Sequence, residues 1–222
     1  MTNLFSIFDP STPNFMSSNW LSMTLVLSCT PLAIWMNPSR PTYLFKALLA
    51  YLFSEFSPLI KKAPFLLISI LSFFSLIMYN NVLGLLPYIF TASSHLVFTL
   101  TLALPAWLAL MSYGWLNNTS NLLVHLIPQG TPVILMPFMV LIETVSTLIR
   151  PGTLAIRLSA NMIAGHLLIT LLSSAFSSMP TMALPILFTA QIALSLLEIA
   201  VAFIQAYVFS VLLTLYSAEC ID

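Results

Sequence analysis

The sequence predicts an all-α integral membrane protein that forms a single membrane domain over residues 1–222. Three observations support this class: hydrophobic residues make up 59% of the chain, charged residues make up 5%, and the mean hydropathy is +1.03. Soluble domains carry roughly a quarter charged residues, and the apolar runs in this chain are too long for the strands of a membrane barrel. The formal net charge is zero, so no nucleic-acid partner is expected.

Three membrane-crossing helices are predicted before the C-terminal part of the chain. Residues 15–36 form the first apolar run, and residues 65–87 and 96–115 form the second and third. At 1.5 Å per residue, runs of this length cover roughly 30 Å, which is the thickness of the hydrocarbon core. Pro105 inside the third run is compatible with a membrane helix, because neighbouring groups can satisfy the carbonyl that a proline frees.

Residues 41–62 have a different character. Together with Arg40 they hold four of the six basic residues of the chain, and their apolar residues recur at helical spacing. Lys46 and Glu55 interrupt the apolar pattern, which favours an interfacial amphipathic helix over a further buried span. The positive-inside rule then places this segment on the negative side of the membrane and the N-terminus on the opposite side.

The last two apolar segments, residues 132–176 and 181–218, are too long to be upright single spans. As helices they would reach roughly 65 and 55 Å, against about 30 Å of hydrocarbon. A break into shorter spans would need a polar loop, and only Arg150-Pro151-Gly152 resembles one. We therefore expect a long, strongly tilted helical hairpin, with its turn at Ser177-Ser-Met-Pro180.

Arg157 lies inside the first segment of this hairpin and is the most informative residue of the chain. Its guanidinium keeps its proton at any ordinary pH. A charge at the middle of a bilayer costs from about 3 to more than 10 kcal/mol, depending on the method of estimation. A cation kept at that position indicates an ion or proton path, or a carboxylate partner that is not always present.

Polar residues of the hairpin predict how its two helices are aligned. If the helices are antiparallel, residues at one depth mirror each other about positions 181–182. Along the helix, Arg157 is about 21 Å from Glu143 and about 13 Å from His166, which is too far for direct proton transfer. Asn161 lies within about 40° of Arg157 around the helix axis. Three pairs share a depth and suggest two half-paths divided by a cation: Glu143 with Glu219, Arg157 with Gln205, and His166 with Glu198.

No cofactor, metal site or nucleotide site is predicted. Cys29 and Cys220 lack metal or redox spacing, and no two histidines are spaced as paired haem ligands. None of the five glycines precedes Lys-Ser or Lys-Thr, as a phosphate-binding loop would require. The chain is therefore not expected to be an enzyme by itself. The polar residues also allow an alternative function, that of a membrane subunit of another ion transporter or respiratory complex. The sequence shows no internal repeat of the kind that is typical of transporters.

Three motifs carry a family resemblance. Residues 148–168, LIRPGTLAIRLSANMIAGHLL, resemble the signature of subunit a of mitochondrial F-type ATP synthases, of the type encoded on animal mitochondrial genomes. Residues 197–209, LEIAVAFIQAYVF, are similar to the last helix of that family, and residues 80–88, NNVLGLLPY, to its second-span motif. The resemblance covers essentially the whole chain.

The resemblance implies a proton-translocating stator subunit of the Fo sector in the mitochondrial inner membrane. The N-terminus would face the intermembrane space and the C-terminus the matrix. Its partners would be a ring of c subunits, each with an essential carboxylate that meets Arg157, other Fo and peripheral-stalk subunits, and the lipid bilayer. The implied site residues are Asn161 and Gln205 as polar neighbours of Arg157, His166 and Glu198 in the half-channel open to the intermembrane space, and Glu143 and Glu219 in the half-channel open to the matrix.

Overall fold

All regular structure in the described part of the chain is helical, which confirms the predicted all-α class. The computed structural model describes residues 4–11, 18–31, 37–60, 63–117, 119–127, 132, 135–176 and 180–221. Within these ranges the α-helices are, in chain order, α1 (Leu25–Cys29), α2 (Arg40–Phe56), α3 (Phe65–Gly84), α4 (Leu96–Asn117), α5 (Thr119–His125), α6 (Met136–Ala175) and α7 (Leu184–Ile221). Short 3-10 helices cover Leu4–Phe8, Asn19–Thr24, Ala92–Ser94 and Thr181–Ala183.

Four of the described helices, α3, α4, α6 and α7, are long and apolar enough to cross a membrane. α3 and α4 contain 20 and 22 residues and match the hydrocarbon thickness as upright helices. α6 and α7 contain 40 and 38 residues, which corresponds to about 60 and 57 Å. Helices of that length must tilt, or extend beyond the hydrocarbon. Of the predicted hairpin turn, residues 177–179 lie outside the described residues.

The described part of the first predicted span, residues 15–36, is a 3-10 helix that leads into α1. Residues 15–17 and 32–36 lie outside the described residues. The ring of Trp20 lies 5.8 Å from the ring of Phe90 and 5.4 Å from that of His95. Both partners belong to the connection between α3 and α4, so the N-terminal segment lies at that end of the bundle.

α2 is amphipathic, as the spacing of its apolar residues predicts. Leu52 and Phe56 are buried in the core, whereas Lys46 and Glu55 are exposed. The Phe56 ring stacks on Tyr207 of α7 at 6.2 Å. Helix α2 therefore attaches to the bundle by one face; Lys61 and Lys62, which follow it, lie outside the described residues.

α6 runs without interruption through Pro151, although Arg150-Pro151-Gly152 is the part of the segment that most resembles a break. A proline inside a helix removes one N–H donor and crowds the carbonyl four residues earlier. Membrane helices tolerate this where neighbouring groups can satisfy the freed carbonyl. Pro151 is buried against the bundle. Glu143, Arg157 and His166 therefore lie on one continuous helix.

A stripe of small residues lets α7 pack closely within the bundle. Small side chains at three- or four-residue spacing allow neighbouring helices to approach each other closely in membranes. The hydroxyls of Ser210, Thr214 and Ser217 donate to carbonyls three residues earlier in α7, at 2.7 to 2.8 Å, so they bury no unpaired donor. The stripe consists of Ala202, Ala206, Ser210, Thr214 and Ser217, none of which has measurable exposure.

We expect Ala206→Leu to destabilise the bundle, because Ala206 is fully buried in the core cluster. Inserting extra methylenes into a packed core costs about 1–3 kcal/mol. The yield of folded protein in detergent and its midpoint of thermal aggregation should both fall. Ala109→Leu is the matched control, since Ala109 is exposed on α4. Equal behaviour of the two variants would show that the stripe does not set the helix packing.

Candidate functional site

Arg157 lies near the middle of α6 on its outward side. Its side chain is exposed, whereas the next residue, Leu158, is 2% exposed. The main-chain carbonyl of Arg157 accepts a hydrogen bond of 2.7 Å from Nε2 of Gln205 on α7. Across the described ranges, no carboxylate lies within ion-pair distance of the guanidinium, and no hydrogen bond to it is formed. The chain thus fixes the backbone at this level and leaves the cation available to a partner.

Much of the surface around Arg157 is apolar, although Thr153 and Asn161, one turn away on either side, are also exposed. On α6 the preceding residue, Ile156, is 54% exposed. On α7, Phe203 and Ile204 directly precede Gln205 and are also exposed. Lipid can cover such a surface, but lipid tails cannot accept hydrogen bonds from a guanidinium. The arrangement therefore suits a second membrane protein that brings an acceptor to Arg157.

His166 and Glu198 share a small cavity between α6 and α7. The cavity has a volume of about 10 Å³, close to the lower limit for one water molecule. Glu198 is only 7% exposed, and neither of its carboxyl oxygens has a hydrogen-bond partner among the described residues. His166 Nε2 is also buried without such a partner, so the two groups are neighbours that do not bond to each other directly. Water is the ordinary partner for buried polar atoms in this position.

Gly165 makes room for the carboxyl group of Glu198. A Cβ atom built on Gly165 would lie 3.0 Å from both Cδ and Oε1 of Glu198, a separation that packed side chains rarely show. The absence of a side chain at Gly165 therefore lets the acid of α7 press against the backbone of α6. Asn161, which was predicted as a neighbour of Arg157, lies one helical turn after Arg157 on α6 and lines the same cavity.

The N-terminal 3-10 helix lies at the same end of the bundle as this cavity. The Phe8 ring meets the ring of His166 edge-on, with 6.4 Å between the ring centroids. Leu85, which follows the last turn of α3, also lines the cavity. The His166–Glu198 cavity therefore lies at the end of the bundle where α3 finishes and α4 begins.

Glu143 and Glu219 meet at the opposite end of the bundle through a residue to which we assigned no role from the sequence. Arg150 Nη2 lies 3.2 Å from Glu143 Oε1, and Arg150 Nη1 donates to Glu219 Oε2. The guanidinium carbon also lies 5.1 Å from the centroid of the Tyr216 ring. The two predicted acids are thus close neighbours, joined by a cation rather than by contact with each other.

A second cavity, of about 420 Å³, opens beside this ion-pair cluster. It reaches from α6 and α7 to Met111 of α4 and to Leu122 of α5. α5 begins at Thr119, shortly after the end of α4, and forms part of the wall of this cavity. The molecule therefore has a cavity lined by predicted acids at each end of the hairpin, with Arg157 between them along α6.

Arg150 was missed because Pro151 and Gly152 follow it directly. The sequence Arg150-Pro151-Gly152 has the composition of a loop, and an arginine in a loop needs no ion-pair partner. The signal that could have identified it is the seven-residue spacing from Glu143 to Arg150 and on to Arg157. At 100° per residue, successive members of that series lie within about 20° of each other on the helix surface.

The residue types of the site suit proton transfer rather than metal binding. No group of three or more metal-ligating side chains is found in the parts of the chain that the structure covers. Carboxyl and imidazole groups can take up and release protons, and water in a cavity beside them can carry protons between them.

Comparison with known proteins gives one consistent result. The family model described as ATP synthase A chain matches residues 16–218. The chain is 56% identical over 224 residues to ATP synthase subunit a of Drosophila simulans, 54% identical over 223 residues to that of Anopheles gambiae, and 52% identical over 222 residues to that of Locusta migratoria. Each match covers 99% of this chain and 99% of the relative.

The alignment of α6 and α7 can be tested by cysteine crosslinking. Asn161 and Val201 line the same small cavity, so cysteines at these positions should be linked by a short bifunctional reagent. The background would carry Cys29→Ser and Cys220→Ser. Pairing position 161 with position 196, five residues out of register, provides the control. Faster crosslinking of the control pair would contradict the observed alignment.

Proposed function

Because the chain belongs to the ATP synthase A chain family, we propose that it is the proton-translocating stator subunit of the membrane-embedded Fo sector. One observation carries the proposal: Arg157 presents a permanent positive charge on an apolar surface, with no acceptor within its described surroundings. Such a charge is unfavourable in lipid by at least about 3 kcal/mol. The subunit therefore requires a partner that supplies a negative charge at that depth.

The proposed partner is the ring of c subunits, each of which offers one carboxylate in the membrane. A carboxylate that arrives at Arg157 is stabilised by the cation, whereas one that leaves for the lipid must first take up a proton. Rotation of the ring past Arg157 is therefore coupled to proton uptake on one side and proton release on the other. Arg157 itself also repels protons that would pass directly between the two sides.

Proton uptake is assigned to the cavity of His166 and Glu198. Support comes from the buried polar atoms there, which have no described partner and would bind water. Asn161 lies on the wall of that cavity and one turn from Arg157, so its amide is placed to orient a water molecule that passes a proton towards the ring. A proton that reaches the ring carboxylate neutralises it and allows it to move into lipid.

Proton release is assigned to the cavity beside Glu143 and Glu219. This cavity is larger and is lined by both carboxylates. After almost a full turn of the ring, the protonated carboxyl group reaches Arg157 from the other side and ionises, and its proton leaves through this cavity. The membrane potential supplies about 2.3 kcal/mol per charge for each 100 mV. Between the two cavities, Gln205 of α7 holds the two helices together through its hydrogen bond to the main-chain carbonyl of Arg157.

The proposal also assigns location and orientation. The chain would be a multi-pass protein of the mitochondrial inner membrane, with its N-terminus towards the intermembrane space and its C-terminus towards the matrix. Arg40 and Lys46 on α2 support this orientation through the positive-inside rule. Phe8 beside His166, and Glu219 near the end of α7, are consistent with it. Nucleotide chemistry is assigned to other subunits of the complex, and further Fo and peripheral-stalk subunits are expected neighbours.

We expect Arg157→Ala to abolish ATP-driven proton pumping by the complex in reconstituted vesicles. Without the cation, nothing at that depth stabilises the ionised form of the ring carboxylate, so the proton is not released and the ring does not advance. Arg157→Lys should fail nearly as badly, because a point charge lacks the planar fork of a guanidinium. Arg40→Ala is the control, since Arg40 lies at the start of α2 and away from both cavities. Pumping at the wild-type rate by Arg157→Ala would refute the proposed function.

We expect Gly165→Ala to slow proton uptake, as Glu198→Gln should, because the new methyl group would displace the Glu198 carboxyl group. Gly152→Ala is a matched control on the same helix, since a Cβ there meets nothing within 4 Å. Passive proton flux through the Fo sector in vesicles would measure the effect. If Gly165→Ala and Gly152→Ala conduct protons equally well, the Glu198 carboxyl group does not need its observed position.

A further inference from the structure

The ion-pair cluster at the second cavity contains two acids and one cation from two helices. Glu143 and Arg150 belong to α6, and Glu219 belongs to α7. The side chains of these residues are 34%, 25% and 58% exposed in that order, so the cluster borders open space and is not a sealed core pair. Isolated ion pairs with this exposure contribute little to stability. The position of the cluster on the cavity wall therefore calls for another role.

The geometry of Arg150 suits a bridge. A guanidinium has several donors in a fixed plane and can serve two carboxylates at once, which a lysine ammonium does less well. Nη1 and Nη2 of Arg150 are each used for a different acid. The Tyr216 ring lies under the guanidinium carbon and limits its freedom. Arg150 thus fixes the separation of two carboxylates that would otherwise repel each other.

Arg150 also lies on nearly the same side of α6 as Arg157. Seven residues separate them, which corresponds to about 10 Å along the axis and about 20° around it. Without its two acids, Arg150 would be a second unpaired cation close to the first. The carboxylates of Glu143 and Glu219 compensate its charge, so that only Arg157 of this pair is left without an acceptor among the described residues.

We propose that Arg150 is a positioning residue that clamps Glu143 of α6 to Glu219 of α7 on the wall of the larger cavity, and that this clamp is needed for proton release. The proposal rests on the proposed function, because it assigns Arg150 to the path that the two acids form. Arg150 neither receives nor donates a proton. It acts by holding the two acids at the cavity and by tying the ends of the hairpin helices together.

The test uses the whole complex in vesicles and measures ATP-driven proton pumping, with the amount of assembled complex measured in parallel. Arg150→Gln should lower pumping about fivefold, which corresponds to about 1 kcal/mol in the barrier, because neither acid is then held at the cavity wall. Arg150→Lys should fall between Arg150→Gln and the wild type, because an ammonium can hold one acid better than two. Arg40→Gln serves as the matched control for loss of one arginine.

A charge exchange separates the clamp from a packing role. Arg150→Glu alone brings three acids together and should reduce pumping more than Arg150→Gln does. Adding Glu219→Arg restores one cation between two acids, with one acid now at position 150, and should raise pumping clearly above that of Arg150→Glu. A residue needed only for its bulk beside Tyr216 would not be rescued in this way. If Arg150→Gln does not assemble, the comparison between Arg150→Glu and the exchanged pair decides, for both assembly and pumping.

Two results would overturn the clamp. One is wild-type pumping by Arg150→Gln; the other is an exchanged pair that performs no better than Arg150→Glu. Arg157→Ala in the same assay separates this inference from the proposed function. Lost pumping in Arg157→Ala together with normal pumping in Arg150→Gln would remove the clamp and keep the function. Normal pumping in Arg157→Ala would remove the function itself.

Discussion

The arrangement of this molecule depends on one electrostatic constraint, which is that Arg157 keeps its charge on an apolar surface and has no acid of its own. Within the described residues the cation has no carboxylate partner, whereas Arg150, two helical turns away, has two. The helix pair that carries Arg157 does contain a further acid, Glu198, whose carboxyl oxygens have no hydrogen-bond partner in the part of the chain that the structure describes. The described acids of the chain lie away from Arg157, as the proposed function requires if a carboxylate from another subunit is to approach it. A cation permanently paired within the chain could not alternate between partners.

Close packing of α6 and α7 makes this separation possible. Gly165 lets the Glu198 carboxyl group lie against the α6 backbone, and Gln205 connects α7 to the carbonyl of Arg157 without using the guanidinium. Small residues such as Ala206 and Ser210 let α7 sit close to the rest of the bundle. Each of these contacts uses main chain or a small side chain. The backbone at Arg157 is therefore held in place by contacts that leave the guanidinium without an acceptor among the described residues.

The sequence predicted the helical class and also which polar residues of the two hairpin helices lie at the same depth, because both follow from the spacing of residues along the chain. Apolar runs of known length require helices, and mirror positions such as Arg157 and Gln205 follow from the antiparallel hairpin. The sequence did not predict the bridging role of Arg150, because Pro151-Gly152 resembles a turn and because a continuous α6 was needed to bring Arg150 to Glu219. The contact of Phe8 with His166 could not be predicted either, because no local sequence pattern determines where an N-terminal segment folds back.

The two ends of the proposed path differ in a way that fits opposite tasks. At one end Glu198 has no described partner and faces a cavity with room for about one water molecule. At the other, Glu143 and Glu219 are held by a cation beside a cavity about forty times larger. In the proposed function, the small cavity suits proton uptake through a single water molecule, and the larger cavity suits release into water. Arg157 lies between the two cavities along α6, so in the proposed function its charge opposes direct proton passage, and the carboxylates of the ring carry protons from one side to the other.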